Sequence, residues 1–470
     1  MTRLLPALLV ASPSLLACVS PAPQAASDVE HWRSQGYGYV LEVEDGAASV
    51  LHVTAQTCVR DEALAGADVS LAELGVTPQA DALIYTDSTT QITFERAPEL
   101  PPPCAPDRIL DGAADPRATF DLVWHTVDEH FPYFDVVGVD WDEARDARAQ
   151  VTDAGSLYAT LVELLAPLRD GHMLLSDGVE SFDGASATLR ARLGPQFEAQ
   201  SHTQDFGEYV ELAAQLNAEL VFADYVTPLG VGANDQIYWG TIDGEVGYVL
   251  ILGMIGLSAD IDLETLLAGG GGWTHGDELV AAEIAAAEAA IDAAIDELGD
   301  AQALVVDVRF NGGGLDSVSR AIAARFADQA RVGYRKAAVH EGALLPPREY
   351  VITPVAEPWS GPVRVLSSPL SASGAEVFLM TMREFQHVQL VGQPSLGALS
   401  DSLSKPLPLP GWSFSLSNEV YTTPAGERFE FVGVPVDTEV PVLVLDELSG
   451  PDPRDAALEA ALAELHEALG

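Results

Sequence analysis

The sequence predicts an α/β protein with a mixed, partly parallel sheet, and three stretches carry that prediction. The continuous apolar run at 303–308 lies between a helix-period stretch (Val280, Ile284, Ile291, Ile295, Leu298) and the glycine turn Asn311-Gly312-Gly313-Gly314. Helix, fully buried strand, glycine turn and helix is the crossover pattern of a parallel sheet. A second crossover follows at 363–366, where an apolar strand leads through Ser371-Ala372-Ser373-Gly374-Ala375-Glu376 into helix-period residues and then the strand 388–391. The third stretch, strands 237–242 and 246–252 about the turn Asp243-Gly244-Glu245, adds an antiparallel pair.

The chain has 470 residues, more than one hydrophobic core accommodates, so two or three domains are expected. With 48% hydrophobic and 20% charged residues it is globular. Its 71 acidic and 23 basic residues leave a net charge of -48, which repels nucleic acid and anionic headgroups. A solvated surface suited to salt and a preference for basic substrates are both compatible with that charge. No nucleic-acid partner is expected.

At the N-terminus, Arg3 and the short apolar stretch 4–16 read as a signal peptide over 1–17, too short to span a bilayer. It ends in Leu15-Leu16-Ala17-Cys18, similar to a bacterial lipobox in which Cys18 would be lipidated; a plain cleaved signal peptide is the alternative. Either way the mature protein leaves the cytoplasm. Export leaves Cys58 and Cys104, an even pair that suggests one disulfide, with two buried thiols as the other option.

After a tether over 18–30, residues 31–105 alternate in period two between turn signals and predict a small β module with binding or spacing as its default role. A helical subdomain follows over 113–180. Asp115-Pro116 starts a helix, and Phe120, Val123, Trp124, Val127 and Phe131 form its core face. A second helical stretch runs into Arg169-Asp170-Gly171-His172, which places His172 at a turn between helix and strand. The connecting region 181–235 shows one helix near 206–220, the α/β core spans 236–447, and residues 452–470 form an amphipathic docking helix. The glycine run at 269–272 lacks a lysine for phosphate binding, the ten histidines are scattered, and HExxH is missing, so no metal or cofactor is expected.

Two features point to chemistry. Ligands of such sheets gather at the carboxyl ends of the strands, where the Gly312 to Gly314 turn and Ser373 share one crevice. Ser373 falls at the start of a helix, where unpaired N–H groups and the dipole favour negative charge. By itself such a serine reads most simply as a helix cap.

In order along the chain, Phe120-Asp121-Leu122-Val123-Trp124 through Trp141, LRDGH ending at His172, DVRFNGGG from Asp307, SASGAE, VGQPSLGALS from Val391 and EFVGVPVD from Glu430 resemble the C-terminal processing, or tail-specific, serine peptidase family. The likeness is to its tricorn-like and interphotoreceptor-retinoid-binding-protein-like branch and covers roughly residues 115–440. It implies a crotonase-like peptidase core acting on peptide or protein substrates. Ser373 matches the nucleophile, His172 the base, Glu430 the acid that orients the base, and the amides of Gly374 and Gly313 the oxyanion hole. The familiar Ser-Lys branch has its lysine where this chain has Ala398, and no PDZ block is evident between His172 and Gln236.

The two lysines, Lys336 and Lys405, are therefore not expected to be the base. Lys405, before Pro406, reads as a strand edge or loop, and Arg335 beside Lys336 would help to depress its pKa. Glu376 is expected to orient the first helical turn or to pair with an arginine, and Asp307 and Arg309 to make structural hydrogen bonds. The chemistry implied is a lipid-anchored serine endopeptidase with a Ser-His-Glu triad; a non-catalytic binding protein for apolar ligands or peptides on the same fold is the rival.

Overall fold

A computed structural model describes residues 29–61, 69–112, 115–260 and 277–470. The signal peptide and Cys18, the glycine run at 269–272 and His275 lie outside them. No helix among the described residues is long and apolar enough to cross a membrane.

The site is carried by a seven-stranded sheet ordered Thr227–Gly232, Ile237–Ile242, Val246–Ile251, Ala303–Asp307, Val363–Ser367, Val388–Gly392 and Thr438–Glu439. The first three strands pair antiparallel, and from Val246–Ile251 onward all neighbours are parallel. Both faces are covered, which explains the mainly apolar runs, with Asp307 and Arg364 among the exceptions. Leu304, Val306 and Val365 pack on one face with Ile291, Ile322 and Phe378 from the helices Asp277–Glu297, Asp316–Ala323 and Gly374–Met382. Ala303, Val305 and Leu366 face the other way, against Leu458 and Leu465 of the C-terminal helix Ala456–Leu469. Asp455 caps that helix by accepting from Leu458 N and also receives Arg309 Nη1, so a buried arginine ties it to the sheet.

The N-terminal sheet is antiparallel and also seven-stranded, ordered Cys58–Arg60, Ala47–Val53, Tyr39–Glu44, Glu30–Ser34, Thr90–Ala97, Ala82–Asp87 and Val76–Gln79. Cys58–Arg60 and Val76–Gln79 are short edge strands, whereas Glu30–Ser34 lies at the centre of the sheet between Tyr39–Glu44 and Thr90–Ala97. Cys58 is bonded to Cys104. The inner face of this sheet does not close on itself. Trp32, Leu41, Leu83 and Phe94 share one apolar cluster with Phe120, Trp124 and Val127 of the helix Pro116–His130 and with Phe414, Leu416 and Val420.

Between His172 and the central sheet the chain forms the short strands Leu174–Ser176 and Ser181–Asp183 and the helices Ala185–Ala199 and Phe206–Leu220. The first of these helices escaped sequence reading because it contains Gly194-Pro195 and buries only Leu193, so it has no apolar stripe. The disulfide links residues 46 apart. Replacing both cysteines with serine is expected to lower unfolding stability by roughly 2–4 kcal/mol, read from the urea midpoint under non-reducing conditions.

Candidate active site

Ser373 sits immediately before the helix Gly374–Met382 with φ of 51° and ψ of -122°, a backbone state that costs a non-glycine residue on the order of 1–3 kcal/mol. The surroundings impose it. Ser373 N–H donates to Ala398 O at 2.9 Å and to Glu376 Oε2 at 3.2 Å, and Ala372 N–H donates to Asn311 O. Ser371, two residues earlier, is used structurally: its hydroxyl donates to Val308 O and accepts from Ser368 N. Ser373 is left with a partly exposed side chain pointing at a histidine.

That histidine is His172, whose Nε2 lies 3.2 Å from Ser373 Oγ across 201 residues of sequence. Its loop is held by Asp170, which is fully buried and accepts from His172 N, Ser417 N and Ser417 Oγ, while Ser415 Oγ donates to His172 O. Sequence reading took Asp170 only as part of a turn; its role depends on the strand Ser413–Ser417, more than 240 residues away. Gly171 is required by proximity, since a Cβ there would lie 2.3 Å from Ala398 Cβ. The position that carries a lysine in the Ser-Lys branch is thus packed against the histidine loop.

Glu430 is buried, and its Oε2 accepts from Leu399 N and Ser400 N, both at 2.9 Å. Among the described residues its Oε1 has no hydrogen-bond partner, and neither has the buried His172 Nδ1. Burial, reinforced by the charges of Asp170 and Glu376, pushes the Glu430 carboxyl well above the usual range. The structure therefore joins His172 to Ser373 and leaves the inner nitrogen and the carboxylate without a direct bond.

Gly374 N–H, at the head of the helix, is one of the first-turn amides that lack an intrahelical acceptor. Gly313, with φ of 103°, packs so closely that a Cβ would lie 2.6 Å from both Ala372 O and Ser373 Cβ. Its amide already donates to Asn311 Oδ1 at 2.9 Å. An oxyanion would meet the Gly374 amide at the open end of the helix and the Gly313 amide engaged by Asn311.

Glu376 binds the site together. Fully buried, it accepts from Ser373 N, Ser395 Oγ, Gly397 N and Ala398 N. Burial raises its pKa to about 7, against the pull of these donors toward the anion. It does orient the first turn, and it also gathers the 395–398 loop, which sequence spacing did not reveal. Asp307 and Arg309 form a fully buried ion pair at 2.6 Å.

Neither lysine reaches Ser373. Lys405 lies in an edge strand, Ser402–Pro406, as expected, yet it is buried: it donates to Tyr37 O and Gly38 O and stands 4.0 Å from the Tyr39 ring centroid. Its partners come from the N-terminal sheet, which no local pattern foretells. Burial lowers its pKa to about 7, while Glu129 and Asp61 act in the opposite direction. Lys336 departs from expectation the other way. Burial opposes its charge, but Glu419, Asp401 and Asp316 outweigh burial and hold it well above its ordinary value, with Glu419 Oε2 at 2.8 Å.

The Glu376 carboxyl is raised from 4.5 to about 7 on folding. The folded state thus holds its proton more tightly, and this contribution is full below about 4.5 and disappears as pH rises through about 7. Wild-type stability is expected to fall across that window by up to about 1.4 kcal/mol per pH unit relative to Glu376→Gln, measured by urea unfolding of both proteins from pH 4 to 8. The variant should also react more slowly with a fluorophosphonate at Ser373, because the glutamine NH2 would face either the Ser395 and Gly397 donors or the Ser373 and Ala398 donors.

Residues 276–440 match the profile of peptidase family S41. Ser373, Gly313 and Glu430 fall inside that segment and His172 outside it. No curated protein matches the chain. Among solved structures, a candidate peptidase from Parabacteroides merdae ATCC 43184 superposes with a TM-score of 0.57 at 22% identity, covering 75% of this chain and 97% of the other. Mature CPAF superposes with a TM-score of 0.50 at 12% identity, covering 76% of this chain and 98% of the other. At these identities the likeness establishes the fold.

Proposed function

From the premise that this chain belongs, through residues 276–440, to peptidase family S41 and is a serine peptidase acting on peptides or proteins, we propose that it is an exported, lipid-anchored endopeptidase working through Ser373, His172 and Glu430. The observation that carries this reading is the 3.2 Å approach of His172 Nε2 to Ser373 Oγ at the head of a helix.

In this mechanism His172 Nε2 takes the hydroxyl proton as Ser373 Oγ attacks the scissile carbonyl. The developing oxyanion is received by Gly374 N–H, and by Gly313 N–H once it turns from Asn311 Oδ1. The imidazolium then returns the proton to the leaving amine, and a water hydrolyses the acyl-enzyme by the same route. For Nε2 to accept, the ring proton must sit on Nδ1, which needs an acceptor. Glu430 Oε1 is a buried acceptor lacking a partner, so the reacting state pairs the two, directly or through one water. Formation of the imidazolium supplies the positive charge that stabilises the Glu430 anion.

A fluorophosphonate probe followed by peptide mapping is expected to label Ser373. Ser373→Ala should abolish labelling and turnover, and His172→Ala should cost about 100-fold or more in kcat. Glu430→Gln should lower kcat with KM nearly unchanged. Lys405→Met should retain most activity, and Lys336→Met should leave Ser373 able to react with the probe, since neither amine reaches Ser373. An unlabelled Ser373 in folded protein would favour the binding-protein alternative.

Export and anchoring rest on the sequence 1–30, where the lipobox-like end is followed by a Pro/Ala tether that would hold a globular body off a membrane. The intact mass of protein from the membrane fraction is expected to show a lipid-modified Cys18 as the first residue. An unmodified N-terminus downstream of Cys18 would contradict it.

A further inference from the structure

The turn between the strands Ala82–Asp87 and Thr90–Ala97 of the N-terminal sheet reaches across to the loops around Ser373. Thr89 Oγ1 donates to Asp316 Oδ2 at 3.0 Å, and Ser88 Oγ donates to Ser317 Oγ at 2.9 Å. Both acceptors open the helix that follows the Gly312 to Gly314 turn. Thr90 Oγ1 donates to Asp401 Oδ2 and receives Lys336 Nζ at 3.0 Å. Tyr350 OH closes over the tip by donating to Thr89 O.

Asp401 ends the segment that organises the site. Ala398 O receives the Ser373 N–H, and Leu399 N and Ser400 N hold Glu430. Glu376 grips this segment at Gly397 and Ala398, and Thr90 grips it at the far end. The hairpin's own ladder runs to the Asp87 and Thr90 pair without help from these hydroxyls. Their bonds go outward, to the two loops that flank the nucleophile.

We infer that Thr89 and Thr90 are positioning residues of the active site, and that the N-terminal sheet is a working part of the catalytic unit and not a detached binding or spacing module. Through Asp316 the tip sets the glycine turn, and through Asp401 it sets the amides that hold Glu430. The inference rests on Ser373 being the nucleophile. Small displacements of groups that act only in the transition state reduce kcat far more than KM.

The test uses the full chain with Thr89→Val/Thr90→Val and Thr89→Ser/Thr90→Ser, reading the fluorophosphonate labelling rate at Ser373 and the kinetics on a fluorescein-labelled casein. The valine pair is expected to lower the labelling rate and kcat by about 10-fold with KM changed by less than about 2-fold, while the serine pair, which keeps both hydroxyls, stays near wild type. Equal rates in wild type and the valine pair overturn the inference, as does an equal loss in the valine and serine pairs. Should the valine pair fail to fold by circular dichroism, Thr90→Ala takes its place under the same criteria. Absence of labelling in the wild type sinks the nucleophile assignment instead, which keeps the two failures apart.

Discussion

The geometry around Ser373 depends on one buried carboxyl group. Glu376, three residues into the serine helix, collects N–H groups from Ser373, Gly397 and Ala398 together with the Ser395 hydroxyl. Ser373 can therefore persist at a φ of 51°: the strained residue is bonded on its own amide while its neighbours are held by the same oxygen atoms. Because the 395–400 loop hangs from Glu376, so do the Leu399 and Ser400 amides that receive Glu430. Removing that carboxylate would release both the strain and the loop that holds Glu430.

Three carboxyl groups, Asp170, Glu376 and Glu430, are buried around a single imidazole. Each is held mainly by amide and hydroxyl donors and not by a cation, so none neutralises another, and burial pushes Glu376 and Glu430 upward. A positive charge generated on His172 would draw these carboxyl groups toward their ionised forms. That electrostatic arrangement suits a general base whose protonated form must be stabilised during the reaction.

The lysines show how one residue type is put to different uses by its surroundings. Lys336 lies among Glu419, Asp401 and Asp316 and stays charged, joining the N-terminal hairpin to the core through Thr90. Lys405 is buried against two backbone carbonyls and a tyrosine ring beneath the N-terminal sheet, with its pKa lowered to about 7. Both are spent on the junction between the sheets, which leaves the serine to a histidine.

Much of this was legible in the residues alone. The crossover strands were visible because both of their faces are buried, which leaves mainly apolar runs, and Ser373 and the glycine turn were visible because close backbone approach restricts the residues that fit. The ordered motifs also singled out His172 and Glu430. Local pattern could not show that Asp170 would be held by Ser417, that Lys405 would be buried, or that Thr89 and Thr90 would bond to Asp316 and Asp401. Periodicity records which face of an element is apolar. It carries no information about which distant element meets a polar side chain, and a hydrogen bond between residues some 230 or 310 apart in sequence exists only once the intervening chain has packed. Element type and the candidate chemistry were thus determined locally, whereas tertiary packing decided which donors satisfy each buried carboxylate, because that satisfaction depends on distances the linear chain does not define.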